Sequence, residues 1–525
     1  MSLTHPFAST GLSFPTHKMK GLALRISGPC SSRSVIWWLH PSVGIPWYEC
    51  RGQQRARVGR SGPGCTGWEE GSLGLGKEGR WGGLRGEEER TGQADEREER
   101  LPPLLLLPLL NSAPSRLVLA ESIPEGMSFG PAGPRLLSTH RAWLHLIHRA
   151  QRRVDIAAYN VTLRSRATGR EHPSGWQGQE IFDQLLSLPS RGVRLRLAMN
   201  SPQPSEMDTE ELGQHGVQVT PVELEQLTGG IVHSKFWVVD GRDLYVGSAN
   251  VDWRALTQIK ELGAILYNCS PVAQDLLSIF NMYQALGGPG AVLPSSWPPK
   301  FSALSSLQQP IRLQLDGHSA DVFLSSSPPA LCATGRTSDL QAILSTISQA
   351  QEFIMVSVMD LMPQCMFCQP KRFWSELDSA LRTAACDRRL LIQLLISCWR
   401  HSDPDMFIFL ESLNILSQPP LSCPLHVKLF VVPVSEDQRH IPYARMNHNK
   451  FMVTDKAAYI GTSNWSHDYF LRTTGVGLVI LRPQGAEMLP VQQELRAIFE
   501  RDWSSLYAQP LSPRPPCAAR GREGA

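Results

Sequence analysis

Two short segments of this sequence carry the same chemical groups at the same spacing. The first contains His233 and Lys235, the second contains His448 and Lys450, and both obey the pattern His-x-Lys-x4-Asp. Residues two apart on a strand project from the same face, so each imidazole is expected beside the ammonium group of its own segment. A pocket formed by both segments would hold two imidazoles and two ammonium groups, which suits a phosphodiester.

The chemistry of such a pocket follows from the residue types. The lysines would neutralise the non-bridging oxygens, one imidazole would attack phosphorus to give a phosphohistidine, and the other would protonate the leaving oxygen and later activate water. The candidate catalytic set is therefore His233, Lys235, Asp240, His448, Lys450 and Asp455. The two aspartates fall at the turn after each motif, where we expect an orienting or structural role. No metal or other cofactor is expected, because the side chains already supply the positive charge.

A glycine and an asparagine follow each motif at nearly the same offset. The hydroxyl residue after each glycine and the asparagine itself offer short hydrogen-bonding groups. The candidate substrate-binding residues are therefore Ser248, Asn250, Thr462 and Asn464.

The elements that must position these residues are also written twice. Buried-strand patterns at 154–159 and 193–199 are echoed at 353–359 and 390–397, and a strand pair follows in each half, predicted at 231–239 with 244–246 and at 451–453 with 459–460. The sequence predicts an α/β fold of two duplicated halves, each a mixed sheet flanked by helices, related by a pseudo-two-fold axis with one shared active site. The predicted division is a disordered or targeting region at 1–115, a first half at 116–287, a linker at 288–310, a second half at 311–508 and a tail at 509–525.

Composition narrows the class of protein. The 525 residues are 42% hydrophobic and 19% charged, which is typical of a globular chain, and the net charge of +3 gives no global basic field for a polyanion. The leucine-rich run at 101–110 is too short and too rich in proline to cross a bilayer, which takes about 20 apolar residues. The sequons at Asn160 and Asn268 are candidate glycosylation sites and a weak indication of a secretory route.

The paired motifs resemble the phospholipase D superfamily, whose members form one site from two halves. The segments His233-Ser-Lys-Phe-Trp-Val-Val-Asp240 and Ile460-Gly-Thr-Ser-Asn-Trp-Ser466 resemble, more closely, the branch of the third and fourth mammalian phospholipase D proteins. That resemblance implies a 5′-3′ exonuclease on single-stranded DNA or RNA, and an endolysosomal or secretory lumen. It leaves open membrane association, a homodimer, and the choice among DNA, RNA and lipid as substrate.

The resemblance also implies roles for single residues. Glu261 lies where bacterial superfamily members have a carboxylate that holds the first histidine, so we expect it to orient His233 as nucleophile, with His448 as general acid. Cys398 and Cys517 lie where the branch has a disulfide. Two alternatives use the same chain differently: a phospholipid hydrolase or transphosphatidylase with the same four residues, and a catalytically silent relative with a binding role.

Overall fold

The computed structural model describes residues 114–512, except 132 and 289, together with residues 515 and 517. The predicted region 1–115 and the predicted tail 509–525 therefore lie largely outside the described residues. Within the described part of the chain, no helix is both long enough and apolar enough to cross a membrane.

The first half contains a sheet of eight strands in the order β2-β1-β10-β8-β7-β3-β5-β6. Its elements, in chain order, are β1 Arg116–Ser122, β2 Leu137–Ser138, α1 Thr139–Arg149, β3 Arg153–Ala158, β4 Val161–Thr162, α2 Trp176–Leu186, β5 Arg194–Asn200, α3 Met207–Gln214, β6 Gln218–Val222, α4 Leu224–Thr228, β7 Phe236–Val239, β8 Asp243–Gly247, β9 Val251–Asp252, α5 Trp253–Thr257, β10 Glu261–Tyr267 and α6 Ser270–Leu286. Strand β3 runs parallel to β5 and antiparallel to β7, so the sheet is mixed.

The second half repeats this plan in a ten-stranded sheet whose path is β11-β12-β23-β21-β20-β14-β18-β19-β24, with β13 beside β12. Its elements are β11 Ile311–Leu315, β12 His318–Ser327, β13 Thr337–Ser338, α7 Asp339–Gln349, β14 Phe353–Val358, β15 Leu361–Met362, β16 Gln364–Cys365, β17 Arg372–Phe373, α8 Glu376–Arg382, β18 Leu391–Ser397, α9 Pro404–Asn414, β19 Leu425–Phe430, β20 Lys450–Thr454, β21 Ala457–Gly461, β22 Trp465–Ser466, α10 His467–Leu471, β23 Gly475–Leu481, α11 Pro490–Trp503 and β24 Ala508–Pro510.

Equivalent local sequences explain why the two halves fold alike. Ser138 and Ser338 cap α1 and α7, and each hydroxyl accepts a hydrogen bond at 3.3 Å from the backbone N–H three residues on. Strand β14 is buried along its whole length, and β3 along all but its first residue, as expected of central strands covered on both faces. The predicted α/β fold of two duplicated halves is confirmed, whereas the exact division of the chain stays a prediction.

The two sheets face each other across a shared core. Helices α6 and α11 lie in this core, with Phe280 and Phe499 buried among residues from both sheets such as Phe236 and Phe451. The other long helices cover the outer faces, α1 and α2 on the first sheet and α7, α8 and α9 on the second. Packing of the two inner faces fixes the halves against each other and brings the two motifs to one place.

Candidate active site

The two motifs meet through reciprocal backbone contacts between the halves. Val232 pairs with Thr474 and Lys260 pairs with Asn447, both as parallel bridges. The strand predicted at 231–239 is shorter in the structure, where β7 begins only at Phe236. His233 and Lys235 precede it in a segment whose backbone is held by the opposite half.

Each catalytic candidate is fixed by a matching set of hydrogen bonds. The His233 N–H donates to the Thr474 hydroxyl at 2.9 Å, and the His448 N–H donates to the Lys260 carbonyl at 2.8 Å. Lys235 donates from Nζ to the His233 carbonyl at 2.5 Å, and Lys450 donates to the His448 carbonyl at 2.7 Å. The structure therefore brings all four residues of the predicted constellation together in one symmetric arrangement.

The two imidazoles face one buried space. Their ring centroids are 6.4 Å apart with an interplanar angle of 78°, and both side chains are buried. The Nδ1 atom of His233 lies 3.1 Å from the Thr462 carbonyl, which can only accept, so Nδ1 carries the proton and the lone pair lies on Nε2.

The predicted partner of Glu261 is wrong. Both carboxylate oxygens of Glu261 lie 2.9 Å from Nδ1 of His448, and not beside His233. The reason is the crossing of the halves, because β10 delivers its first residue next to the backbone bridge between Lys260 and Asn447. The residue equivalent to Glu261 in the second half is Gly475, where a Cβ would meet the Ser463 hydroxyl at 1.9 Å. One imidazole thus has a carboxylate partner and the other has a backbone carbonyl.

Burial and crowding of like charges dominate the titration of the site. Burial, followed by the nearby Lys235 and Lys450, holds the pKa of His233 well below its ordinary value. Burial lowers the pKa of His448 to about 4, with Glu261 opposing that shift. Burial likewise lowers the pKa of Lys450 to about 7, again opposed by Glu261. A bound phosphate anion would oppose these shifts, because it stabilises each cationic form.

Sequence reasoning missed Asp360 and Tyr469. Asp360 follows β14, and its carboxylate accepts a hydrogen bond at 2.7 Å from Nδ2 of the predicted binding residue Asn464. Burial raises the pKa of Asp360 to about 6, and Lys450 opposes the shift. The ring of Tyr469 lies 4.9 Å from the His233 ring. The available signal was position, since Asp360 lies two residues after β14, as Asn160 lies two residues after the equivalent strand β3.

The two motif aspartates lie at the far end of each hairpin strand. Asp240 accepts hydrogen bonds from the backbone N–H groups of Gln151, Arg152 and Arg153 at 2.8–2.9 Å. Asp455 accepts from the Gln351 backbone N–H at 2.8 Å in the equivalent connection. Both carboxylates tie the strand end to the preceding helix–strand turn, which agrees with the structural role expected for them and corrects their inclusion in the catalytic set.

The predicted substrate-binding residues separate into two pairs. The Ser248 hydroxyl donates to the Leu262 carbonyl at 3.1 Å, and the Thr462 hydroxyl accepts from the Val476 N–H at 3.0 Å. These two hydroxyls have main-chain partners, which supports a role in holding strands, and substrate binding by either residue stays a prediction. Asn250 is half-buried and Asn464 is buried, and the Oδ1 atom of each makes no hydrogen bond to the described residues. Substrate binding by Asn250 and Asn464 stays a prediction.

Cysteines and sequons complete the predicted features. The disulfide between Cys398 and Cys517 is present, and two further disulfides join Cys365 to Cys368 and Cys386 to Cys423. Within the described residues, a ring nitrogen of His467 and the sulfur atoms of Cys365 and Cys368 lie within 4.8 Å of one another, but the disulfide leaves that pair without free thiolates.

The glycosylation prediction at Asn160 is wrong for the folded protein. Its side chain is 2% exposed and donates to the Asp252 carboxylate at 3.0 Å, which leaves no room for a glycan. Asn268 is half-buried, and its Oδ1 accepts from Arg149 at 3.2 Å. Glycosylation at Asn268 stays a prediction.

Comparison with known proteins agrees with this geometry. A family model described as "PLD3/4, PLD-like domain" matches residues 132–435, which is more than half of the chain. The chain belongs to the PLD3/4 family of phospholipase D-like proteins.

Individual members of the PLD3/4 family cover most of this chain. This chain is 47% identical over 396 residues to the protein named 5′-3′ exonuclease PLD3 of Xenopus laevis, and the match covers 75% of this chain and 80% of that one. It is 46% identical over 406 residues to 5′-3′ exonuclease PLD4 of Mus musculus, covering 76% and 80%. Among solved structures, phosphatidylserine synthase of Haemophilus influenzae aligns at 14% identity with a TM-score of 0.47, over 71% of this chain and 85% of that one.

Proposed function

We propose that this protein is a phosphodiesterase that removes nucleotides from the 5′ end of single-stranded DNA or RNA through a phosphohistidine intermediate. The observation that carries the proposal is the meeting of two imidazoles and two ammonium groups in one buried space, with ring centroids 6.4 Å apart. The names of the PLD3 and PLD4 relatives support the polarity and the substrate class. An endolysosomal or secretory compartment belongs to the same proposal, and the three disulfides support it, since disulfides persist in oxidising compartments.

The proposed first step uses His233 as the nucleophile. Its Nδ1–H donates to the Thr462 carbonyl, and its low pKa keeps the Nε2 lone pair free. Nε2 attacks phosphorus, the bond to the leaving ester oxygen breaks, and Nε2–H of His448 protonates that oxygen. Glu261 stabilises the imidazolium form of His448 that this donation requires.

The second step regenerates the enzyme. His448, now neutral, removes a proton from water, and the resulting oxygen attacks phosphorus as the bond to His233 breaks. Lys235 and Lys450 hold the non-bridging oxygens of the phosphoryl group in both steps, so the phosphoryl group keeps the same cationic partners throughout the reaction. His233 therefore keeps the role of nucleophile and His448 that of proton donor, but for a different reason. The Glu261 carboxylate beside His448 favours a proton donor, whereas the neutral Thr462 carbonyl beside His233 favours a nucleophile.

The experiment that tests the proposal compares substrates on purified full-length protein. A single-stranded oligonucleotide with a 3′ fluorescent label should shorten stepwise from its 5′ end, whereas the same sequence closed into a circle should resist. Release of choline from phosphatidylcholine vesicles, measured in parallel, tests the phospholipid hydrolase alternative. Cleavage of the circle, or lipid turnover without strand shortening, would contradict the exonuclease proposal.

A further inference from the structure

A row of aromatic side chains begins at the nucleophile and leads toward solvent. The Tyr159 ring lies 5.5 Å from the His233 ring, and the Lys235 ammonium lies 5.6 Å from the Tyr159 centroid. Burial, and then the phenol of Tyr443, raises the pKa of Tyr159, and the Arg254 guanidinium contacts the same segment through the Pro442 carbonyl at 2.7 Å. None of these aromatic contacts is used by the phosphoryl chemistry itself.

Tyr443 is the exposed end of this row. Its side chain is 63% exposed, although the ring stacks on His401 with centroids 5.1 Å apart and planes inclined by 24°. His401 in turn packs edge-on against Trp399 at 4.8 Å. One face of the Tyr443 ring therefore packs on His401, while most of the side chain is open to solvent.

The backbone around Tyr443 is held in a conformation that side chains other than glycine rarely adopt. Tyr443 has φ +50° and Arg445 has φ +62°. The Arg254 guanidinium donates to the Pro442 carbonyl at 2.7 Å, and Arg445 donates to the Pro433 carbonyl at 2.7 Å. Backbone strain of this kind persists where surrounding contacts enforce it, and it concentrates at ligand-binding sites.

We propose that Tyr443, supported by His401, is a stacking platform for a nucleobase of the single-stranded substrate whose phosphate lies between the two imidazoles. This inference rests on the proposed function and adds a base-binding subsite to it. Tyr443 precedes His448 by five residues, so its Cα lies within ~18 Å of the motif even in a fully extended chain. Stacking on an aromatic ring accepts any base, which suits an enzyme that must remove every nucleotide in turn.

The main test measures binding on the inactive His233→Ala background, so that it does not depend on turnover. A fluorescein-labelled thymidine 12-mer and a matched strand with abasic residues are titrated by anisotropy. Asparagine tolerates positive φ, so Tyr443→Asn removes the ring while keeping the backbone conformation. We expect it to weaken binding of the thymidine strand by roughly 5- to 150-fold, as for loss of one stacked base, with little effect on the abasic strand.

Two variants provide matched controls. Tyr443→Phe keeps the ring and should bind like the parent. Phe373→Ala removes another exposed aromatic ring, stacked on Phe409 with centroids 6.1 Å apart but outside the row, and should also bind like the parent. In the active background, Tyr443→Asn should raise KM for the thymidine strand more than KM for the abasic strand.

The outcomes separate the subsite from the proposed function. Unchanged binding of the thymidine strand by Tyr443→Asn, with an unchanged melting temperature, overturns the subsite. An equal loss of binding for thymidine and abasic strands also overturns it, because the ring would then be serving the backbone. Failure of the wild type to shorten any strand would overturn the exonuclease proposal, while the anisotropy comparison would still decide whether Tyr443 binds bases.

Discussion

Replacement of Glu261 by glutamine is the most direct test of how the two imidazoles differ. Glu261 is fully buried, and its hydrogen bonds to described side chains go to Nδ1 of His448 alone. Glutamine has nearly the same size and can still accept the Nδ1–H through Oε1. The substitution therefore removes a charge while preserving the position of the ring.

The expected magnitude follows from the contact. Two opposite charges ~4 Å apart attract by ~4 kcal/mol at an effective dielectric constant of ~20, which corresponds to ~3 pKa units. The pKa of His448 should fall by about that amount, and its protonated fraction at a fixed pH should fall up to ~10³-fold. We expect kcat on an oligonucleotide to drop by ~10²- to 10³-fold, the range for loss of a general acid.

The assay pairs two leaving groups. When an oligonucleotide is cleaved, the leaving group is a sugar alkoxide, which needs a proton. The p-nitrophenolate ion leaves readily without one. If His448 is the proton donor, Glu261→Gln should be slow on the oligonucleotide and near wild type in the cleavage step of thymidine 5′-p-nitrophenyl phosphate, read as a pre-steady-state burst. The descending limb of its kcat/KM profile should also move toward lower pH, because a weaker base loses its proton earlier.

Three results would refute this reasoning. A pH profile that overlays the wild type would show that Glu261 does not control an essential proton. An equal loss of rate in the burst on both substrates would assign the nucleophilic role to His448 instead. A large fall in melting temperature would show that the carboxylate acts on the fold, and Glu261→Asp would then be compared for partial rescue of rate at matched stability.

The remaining predictions concern the same site and its support. Alanine at His233 or at His448 should each reduce turnover by more than ~10⁴-fold with an unchanged melting temperature, because neither imidazole has a substitute; a variant that kept a tenth of the rate would contradict the shared site. Activity should persist in excess EDTA, and full loss restored by Mg²⁺ would exclude the metal-free mechanism. The pH optimum of kcat/KM should lie below neutrality, with a further decline above about 7 as Lys450 loses its proton; a rising rate between pH 7 and pH 9 would be inconsistent with the lowered pKa. Asp502→Asn should reduce the free energy of unfolding in urea by ~3–5 kcal/mol, because it removes the negative charge 2.8 Å from the fully buried Lys260; unchanged stability would show that Glu121, 3.7 Å away, is a sufficient partner for Lys260.

The four central residues of the site could be predicted because local spacing encodes them. The His-x-Lys motif puts two groups on one side of an extended segment, and its repetition in a duplicated chain predicts that the segments meet. The partner of Glu261 could not be predicted in this way. It depends on which backbone the start of β10 approaches after the halves pack, and that contact joins Lys260 to Asn447 across 187 residues of chain.

Burial explains the other differences between sequence and structure. The sequon at Asn160 is indistinguishable from an exposed one until the packing of β4 and β9 buries it against Asp252. Asp360 belongs to no motif. A single acid after an apolar strand is usually a solvated turn residue, so the sequence offers no reason to select it. Its importance arises only from its hydrogen bond to Asn464 and its proximity to Lys450.

The glycine at position 475 has a consequence for the direction of travel along a strand. A phosphodiester has two ester arms, and a pocket with true two-fold symmetry would accept a strand in either sense and cleave whichever arm faced a proton donor. The Ser463 and Ser327 hydroxyls fill the space beside Gly475, so no acid can stand opposite Glu261 there. Only one of the two histidines therefore has a carboxylate on its Nδ1, and under the proposed mechanism this asymmetry would fix the direction in which a strand enters the pocket.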